Sequence, residues 1–272
     1  MYSLRLIPVS FIFIFLFSSA RGGDPYFPAA GAAESGMGWS CVMQPGFWSS
    51  FHNQALLPFN ESAAAGINYH SRFGISELGT KSAAFVMPLD KAALGFVYSH
   101  FGYRDLARHS AGLACGVRLS EKISAGVQAD FFAEKTAGEY RERRSLSFEA
   151  GIHIMASEQV SLGIHLFNPV PGSFRKDNLP SSVRAGAGIR LSRDLTASAE
   201  AEMSTAGGLD IRTGFQYEPF RSFRIRGGFS SGGNSFCFGM GYIVRSVQID
   251  LGFSTHDRLG VSTAASVIFA FK

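Results

Sequence analysis

The stretch Val183-Arg184-Ala185-Gly186-Ala187-Gly188-Ile189-Arg190-Leu191 alternates strictly between apolar residues and Arg or Gly. The same alternation follows at once in residues 195–203 and returns in 223–226 and 247–253. Successive side chains of a β-strand point to opposite faces, so a period of two gives each strand one apolar and one polar face. Segments of about ten such residues separated by turns are typical of a transmembrane β-barrel.

Runs of this kind continue from residue 62 to the end of the chain, with turn signals between them. We place strands at 63–73, 79–89, 92–101, 109–119, 122–134, 144–156, 159–168, 182–192, 194–204, 208–218, 221–231, 233–244, 246–255 and 260–271. Fourteen is an even number, as single-chain outer-membrane barrels require; twelve is the alternative count. The connections alternate between tight turns, such as Ser120-Glu121, and longer polar segments, such as 134–144 and 168–181. The sequence therefore predicts an all-β fold, one antiparallel transmembrane β-barrel of about fourteen strands over residues 62–272.

Residues 1–20 have the pattern of a signal peptide. Arg5 precedes an apolar run at 6–17, and the small residues Ser18-Ser19-Ala20 follow it. At about 1.5 Å per residue, this run is too short to cross a bilayer of about 30 Å as a helix. An uncleaved anchor helix is the alternative. We expect an exported chain that starts near Arg21 and reaches the outer membrane.

Residues 21–61 differ from the rest of the chain. They hold both tryptophans and four prolines, at positions 25, 28, 45 and 58. Proline cannot donate to a strand ladder, so these positions argue against strands that are paired on both sides. The segment is therefore predicted to be a helical and irregular N-terminal plug that packs inside or under the barrel.

The composition favours a membrane barrel over a soluble all-β domain. Charged residues make up 17 % of the chain, while aromatic residues reach 13 % and glycines number 31; a typical soluble domain is roughly a quarter charged. The basic residues behind the net charge of +4 are scattered, so no nucleic-acid partner is expected. Cys41, Cys115 and Cys237 allow one disulfide but have no metal or redox spacing, and no cofactor is expected.

Several segments along the chain resemble one known family. They are Gly36-Met37-Gly38-Trp39, Gln44-Pro45-Gly46, Tyr69-His70-Ser71-Arg72-Phe73-Gly74-Ile75-Ser76-Glu77-Leu78-Gly79-Thr80, His165-Leu166-Phe167-Asn168-Pro169 and Gln248-Ile249-Asp250. On these residues the chain resembles the PorV/PorQ-like outer-membrane proteins of Bacteroidetes-type bacteria, a branch of the FadL-like barrel group. At the plug turn, Gln44-Pro45-Gly46-Phe47 stands where that family has an Asn-Pro-Ala-Gly-like sequence.

The resemblance implies a fourteen-stranded barrel with an N-terminal plug. In the PorV/PorQ-like family, it also implies a role as a partner in type IX secretion, which hands cargo to a translocon or attachment complex. FadL-like transporters instead move hydrophobic molecules through a lateral opening.

The best-defined polar set is a ladder across three predicted strands. If Ser192-Arg193-Asp194 closes a tight hairpin, Arg184 lies opposite Glu202; if the next turn centres on Gly207, Glu202 also faces Arg212. Opposite charges on facing strand positions attract. The predicted Arg184–Glu202–Arg212 ladder would line a polar pore or hold a plug, or it would simply neutralise charges in a narrow lumen.

Other side chains suggest further roles for the barrel wall. Aromatic residues near strand ends or on outward positions are predicted to form membrane girdles, with a hydrophobic ligand path as the alternative; they are Phe96, Tyr98, Phe131, Phe132, Phe215, Tyr217, Phe229 and Phe238. His153, His165 and Glu149 face the lumen by parity, but no Gly-x-Ser-x-Gly nucleophile pattern accompanies them. We therefore expect no catalytic or metal residues and no enzymatic activity.

The function expected from the sequence is that of a PorV/PorQ-like outer-membrane protein serving type IX-like secretion or surface assembly. Its partners would be outer-membrane lipid and secretion-system subunits or exported proteins. The alternative is a FadL-like channel with a hydrophobic small molecule as its ligand, and a further one is a structural barrel or small porin. A transporter should show an apolar path past the plug and a break in the wall.

Overall fold

Fourteen antiparallel strands form one closed barrel in the computed structural model, which describes residues 30–136, 143–169 and 179–271. Each strand pairs with its neighbours in sequence, and β1 closes on β14 over eight residue pairs. The strands are β1 Ala64–Ser71, β2 Gly79–Pro88, β3 Ala92–Gly102, β4 Leu106–Arg118, β5 Ile123–Thr136, β6 Arg143–Met155, β7 Val160–Phe167, β8 Ser182–Arg190, β9 Leu195–Ser204, β10 Gly208–Phe220, β11 Phe223–Ser230, β12 Ser235–Val244, β13 Val247–His256 and β14 Gly260–Ala270. The predicted fold class and the count of fourteen are confirmed.

Two predicted N-terminal features lie wholly or partly outside the described residues. The predicted signal peptide, residues 1–20, and the first part of the predicted plug, residues 21–29, lie outside them. Across the described ranges, no helix combines the length and the apolar character needed to cross a membrane.

The two ends of the barrel have different connections. At one end, the turn end, the connections are two to four residues long and lie at 89–91, 119–122, 156–159, 191–194, 221–222 and 245–246. At the other end, the loop end, they include the longer segments 72–78 and 168–181. In outer-membrane barrels the short turns face the periplasm and the longer loops face outward.

The outer surface is apolar, as the alternation in the sequence predicts. On β8, Val183 and Ile189 are exposed while Arg184 is buried inside the barrel. Most of the predicted girdle aromatics lie exposed on this outer surface, namely Phe96, Tyr98, Phe131, Phe215, Tyr217 and Phe238. Phe132 differs, because it follows Phe131 on the same strand and therefore points inward, where it packs against Phe167 and Leu179.

Residues 30–61 lie inside the barrel, where we call them the lumen segment. It contains helix α1 (Ala32–Gly36) and two 3-10 helices, Phe47–Phe51 and Gln54–Phe59. Helix α1 contacts β12, β13 and β14, whereas the second 3-10 helix contacts β4, β5 and β6. The Asn53 side chain caps that helix by accepting a hydrogen bond from the backbone N–H of Ala55 at 3.1 Å.

Glycines on the inward face of the strands make room for this segment. A Cβ atom at Gly228 would collide with the backbone of Met37, and one at Gly163 would collide with the backbone of Val42. These inward-facing glycines are thus a packing requirement, since the backbone of the lumen segment approaches the wall more closely than any side chain would allow.

The lumen segment also supplies half of the buried apolar residues in the described part of the chain. Trp48 is 1 % exposed, and its ring meets Phe47 edge-on with the ring centroids 4.9 Å apart. These rings pack in one cluster with Val86, Val97 and Ile268 from the wall. All three cysteines are free thiols, so none of them ties the lumen segment to the wall.

Candidate functional site in the barrel lumen

Glu200 on β9 is the central anchor between the wall and the lumen segment. Its Oε2 atom accepts hydrogen bonds from the backbone N–H groups of Cys41 and Val42, each at 2.9 Å. Its Oε1 atom accepts a bond from Arg184 Nε at 2.6 Å and one from Arg212 at 3.4 Å. A buried carboxylate that receives bonds from charged and backbone donors on both oxygens is strongly held in place.

The three residues of the predicted ladder meet around this anchor. Arg184 lies directly opposite Glu202, as the hairpin register predicts, and both side chains are buried. Arg212 lies opposite Glu200 rather than Glu202, yet its guanidinium also forms an ion pair with Glu202. The structure therefore brings all three predicted residues into one network.

The network has members that the sequence did not single out. Glu200 shares the inward face of β9 with Glu202 and could have been found from parity alone, but its partners in the lumen segment could not. Asp210, two residues before Arg212, accepts from Arg212 Nε at 2.7 Å. Arg184 also donates from Nη2 to the Trp39 carbonyl oxygen at 3.2 Å. The wall thus binds backbone N–H groups as well as a backbone carbonyl group within residues 39–42.

His52 connects the network to Ala30, the first residue of the lumen segment. Its Nε2 atom lies 2.8 Å from the Ala30 carbonyl oxygen, and Arg184 lies 3.4 Å from its Nδ1 atom. Burial, reinforced by the charge of Arg184, lowers the pKa of His52 to about 3. His52 is therefore a neutral imidazole that donates through Nε2 and accepts through Nδ1. Burial likewise raises the pKa of the Cys41 thiol to about 12, so this cysteine is not a nucleophile.

A second polar cluster joins the lumen segment to β5, β6 and β7. Gln54 donates to Glu149 at 2.5 Å and to Gln128 at 3.3 Å. His165, predicted to face the lumen, lies with its Nε2 atom 3.0 Å from the same Glu149 oxygen. Gln128 in turn donates to Asp130 at 2.7 Å. These bonds pair part of the buried polar groups of the cluster, whereas Gln54 Oε1, Asp130 Oδ2 and His165 Nδ1 have no hydrogen-bond partner among the described residues.

A third cluster lies under helix α1. Arg226 and Asp250 form an ion pair at 2.7 Å and are almost fully buried. Glu34 on the helix lies half-buried nearby, and its Oε2 atom is buried without a hydrogen-bond partner in the described part of the chain. Burial raises the pKa of Glu34 to about 7, and the charge of Asp250 adds to the rise.

The predicted plug turn lies at the turn end. The backbone N–H of Gln44 donates to the Cys41 carbonyl at 3.0 Å, and Gly46 accepts from the N–H of Ser49 at 3.2 Å. Pro45 between them is exposed. The turn is thus a surface feature that borders the turn-end opening.

One cavity opens at the loop end and measures about 290 Å³. Trp39 and Phe51 of the lumen segment line it, together with Phe73 and Phe167. The Trp39 ring lies 5.9 Å from the His52 ring and 5.8 Å from the His70 ring, measured between centroids. The remaining charged lining is balanced: the cations are Arg72, Arg184 and Arg212, and the carboxylates are Glu149, Glu202 and Asp210.

A second cavity of about 450 Å³ opens at the turn end. Glu34, Met43 and the plug turn line it from the lumen side, and Arg190 and Arg224 line it from the wall. Cys41 borders this cavity, whereas Trp39, two residues earlier, borders the loop-end cavity. Residues 39–41, which Glu200 and Arg184 hold, therefore separate the two cavities.

The barrel wall that surrounds both cavities is continuous. Every one of the fourteen neighbouring strand pairs is hydrogen-bonded, and β10 and β11 show a register shift between Tyr217 and Phe220. Within residues 30–136, 143–169 and 179–271, no group of three His, Cys, Asp or Glu side chains is placed to hold a metal ion. The distinctive feature of the site is thus an obstructed path through the lumen. Neither the apolar path past the plug nor the break in the wall that the sequence analysis expects of a transporter is present in the described residues.

Solved structures share this architecture. The toluene transporter TbuX of Ralstonia pickettii superposes with a TM-score of 0.71 at 12 % identity, over 90 % of this chain and 99 % of its own. A FadL homologue of Pseudomonas aeruginosa gives 0.66 at 12 % identity, over 90 % and 99 % of the two chains. The toluene transporter TodX of Pseudomonas putida gives 0.67 at 12 % identity, over 88 % and 96 %. No protein-family model and no curated protein matches the sequence. The chain therefore has a FadL-like barrel fold.

Proposed function

We propose that this protein is a non-enzymatic FadL-like channel of the outer membrane that carries small hydrophobic molecules. The observation that carries the proposal is the lumen segment, which divides an otherwise closed barrel into a loop-end and a turn-end cavity. The FadL-like fold and the toluene transporters that share it support the proposal. The apolar outer face supports the membrane location.

The alternatives have less support. The PorV/PorQ-type secretion role, which was the first expectation from the sequence, finds no support in the comparisons. A small porin needs a continuous water-filled lumen, whereas residues 30–61 occupy this one.

The loop-end cavity favours an uncharged ligand. Its aromatic floor of Trp39 and Phe51 offers flat apolar surface, and its cations are matched by carboxylates in equal number. A free anion would lack a surplus cation and would pay the desolvation penalty of entering the site. A monoaromatic molecule, which a cavity of about 150 Å³ is able to hold, fits within the available 290 Å³.

Passage requires movement of the lumen segment, because the wall is closed. A molecule in the loop-end cavity meets residues 39–42, and these are bound to Glu200 and Arg184. Glu200 therefore acts as a latch, and its bonds to Cys41 and Val42 are the ones that break when the path opens.

Ligand binding can be tested through Trp39, which borders the loop-end cavity. In Trp48→Phe protein the remaining tryptophan reports on that cavity, and toluene is expected to change its fluorescence saturably. Benzoate, of the same size but anionic, is expected to bind at least about tenfold more weakly. Saturable binding of benzoate at the affinity of toluene would refute the uncharged-ligand proposal, and an unresponsive Trp39 would refute binding in this cavity.

Passage can be tested by fixing the lumen segment. Ser198 Oγ donates to the Ser40 backbone carbonyl at 3.0 Å, so these two residues are in contact; formation of a disulfide between cysteines at these positions is verified by mass spectrometry before uptake is measured. Cells whose outer membrane carries Ser40→Cys/Ser198→Cys protein are expected to take up labelled toluene only after reduction. Each single variant is the control. Equal uptake in the oxidised and reduced states would show that the path does not run through this segment.

A further inference from the structure

The outer face of the barrel carries its ionisable side chains in one place. Across the outward positions of all fourteen strands there is no Asp or Glu. The Lys, Arg and His side chains on these positions all belong to β2–β6 and form what we call the basic outer patch: Lys81, His100, His109, Lys135 and Arg144. An even scatter would place about two-thirds of them on the other nine strands.

The patch is contiguous. Lys81 pairs directly with His100, and His100 pairs with His109. On the next two strands Ala133 lies opposite His109 and Arg144 lies opposite Ala133. Directly opposed side chains on a sheet are about 5 Å apart and diagonal ones about 7–8 Å apart, so a single anionic group is able to contact several members.

The histidines of the patch are held in position. The Tyr98 hydroxyl lies 2.8 Å from His109 Nδ1, and the rings of His100 and His109 are 4.7 Å apart at their centroids. Each member lies within four residues of the loop end of its strand. Below them the same face continues with the exposed apolar residues Leu94, Phe96 and Leu146.

We propose that the basic outer patch binds the phosphorylated headgroup of a lipid in the leaflet at the loop end, with the acyl chains lying along the apolar face below. The outward strand positions of the patch carry only basic ionisable groups, which complement a phosphate and not an uncharged sugar; the exposed carboxylates of Glu77 and Asp105 lie in the connections beyond the strands. Its place at the boundary between charged and apolar surface fits a headgroup with chains attached, whereas a free phosphate would gain nothing from the apolar part. The proposal relies on the membrane location given above but not on transport.

The test compares two lipids with the same acyl chains on the complete protein in nanodiscs. Bisphosphorylated lipid A is expected to remain bound in native mass spectrometry at least about tenfold more strongly than lipid A without phosphates. The triple variant Lys81→Gln/His109→Gln/Arg144→Gln should lose this difference. The control is Lys91→Gln/Lys122→Gln/Arg193→Gln, which removes three basic residues at the turn end and should retain it.

Several results of this experiment would contradict the lipid-binding proposal. Equal binding of the two lipids to the unsubstituted protein, a comparison that needs no variant to fold, would overturn the proposal. The same applies if the control triple weakens binding as much as the patch triple. Displacement of the lipid by excess inorganic phosphate would indicate a site for free anions and would also overturn it. Failure of the protein to insert into nanodiscs would instead contradict the membrane location.

Discussion

Replacing Glu200 with Gln should release the lumen segment. The Glu200 carboxylate accepts two backbone bonds from Cys41 and Val42, and a hydrogen bond to a charged group contributes about 1.5–3 kcal/mol. Glutamine has one acceptor oxygen, and its amide group would face the same N–H donors. The variant also leaves Arg184 without its anionic partner, but both residues belong to the wall, so this loss affects the closed and the open states alike. We therefore expect the free energy of opening to fall by about 3 kcal/mol.

Cys41 is a reporter for this opening, because its thiol is buried at the latch. In a Cys115→Ala/Cys237→Ala background it is the remaining thiol. A fall of about 3 kcal/mol corresponds to an increase on the order of 100-fold in its rate of labelling by a maleimide.

A matched variant separates the latch from the general loss of a lumenal charge. Glu202 lies two residues further along the same face of β9 and forms its ion pair with Arg212. Its replacement by Gln should change the Cys41 labelling rate by less than about threefold, because exposure of the thiol requires the Glu200 bonds to break. If Glu200→Gln labels at the unsubstituted rate, the latch mechanism is refuted.

Three further perturbations test other parts of the lumen. Glu34→Gln should change the pH dependence of stability: a carboxyl whose pKa is raised from 4.5 to about 7 contributes stability that is fully present below pH 4.5 and lost as the pH rises through 7. Between pH 4.5 and 7 the unfolding free energy of the unsubstituted protein should therefore fall, relative to that of the variant, by about 1.4 kcal/mol for each pH unit. Chemical denaturation of both proteins at several pH values measures this difference. Gly228→Ala should lower the unfolding free energy by about 1–3 kcal/mol, because its Cβ meets the lumen segment. Asp250→Asn should lower it by about 3–5 kcal/mol, because Arg226 then stays buried without its counter-ion.

A contradicting result or a control variant accompanies each of these three predictions. A flat difference between Glu34→Gln and unsubstituted protein across pH 4.5–7 would show that Glu34 is ionised throughout. Gly207→Ala places a Cβ where nothing lies within 4 Å and should leave stability unchanged; a loss equal to that of Gly228→Ala would contradict the packing argument. Glu218→Gln, at the half-exposed pair with Arg224, should cost less than about 1 kcal/mol.

The sequence determined the wall better than the interior. Period-two alternation specifies which residues share a face, and this placed Arg184, Glu202 and Arg212 on the lumenal side. Parity does not specify register, because a shift of two residues leaves every side chain on the same face. The turn between β9 and β10 occupies 205–207 rather than being centred on Gly207, which puts Arg212 opposite Glu200.

Two other differences have the same origin in tertiary structure. Phe131 and Phe132 are consecutive, so only one of them was able to lie on the outer face. The role of Glu200 depends on backbone N–H groups of residues 41 and 42, more than 150 positions away, and no local pattern encodes such a contact. Irregular segments without periodicity leave their contacts unspecified until the barrel is formed.

The closure of β1 on β14 has a consequence for how the chain assembles. The lumen segment immediately precedes the first strand, and the sheet closes only when the last strand has been made. Pairing of the two chain ends is the least local contact in the molecule and should come late in folding. If the barrel closed first, the lumen segment would have to enter through one end of the barrel and pass inward-facing side chains that pack closely against it. We therefore expect residues 30–61 to collapse onto the growing sheet before the ring is completed.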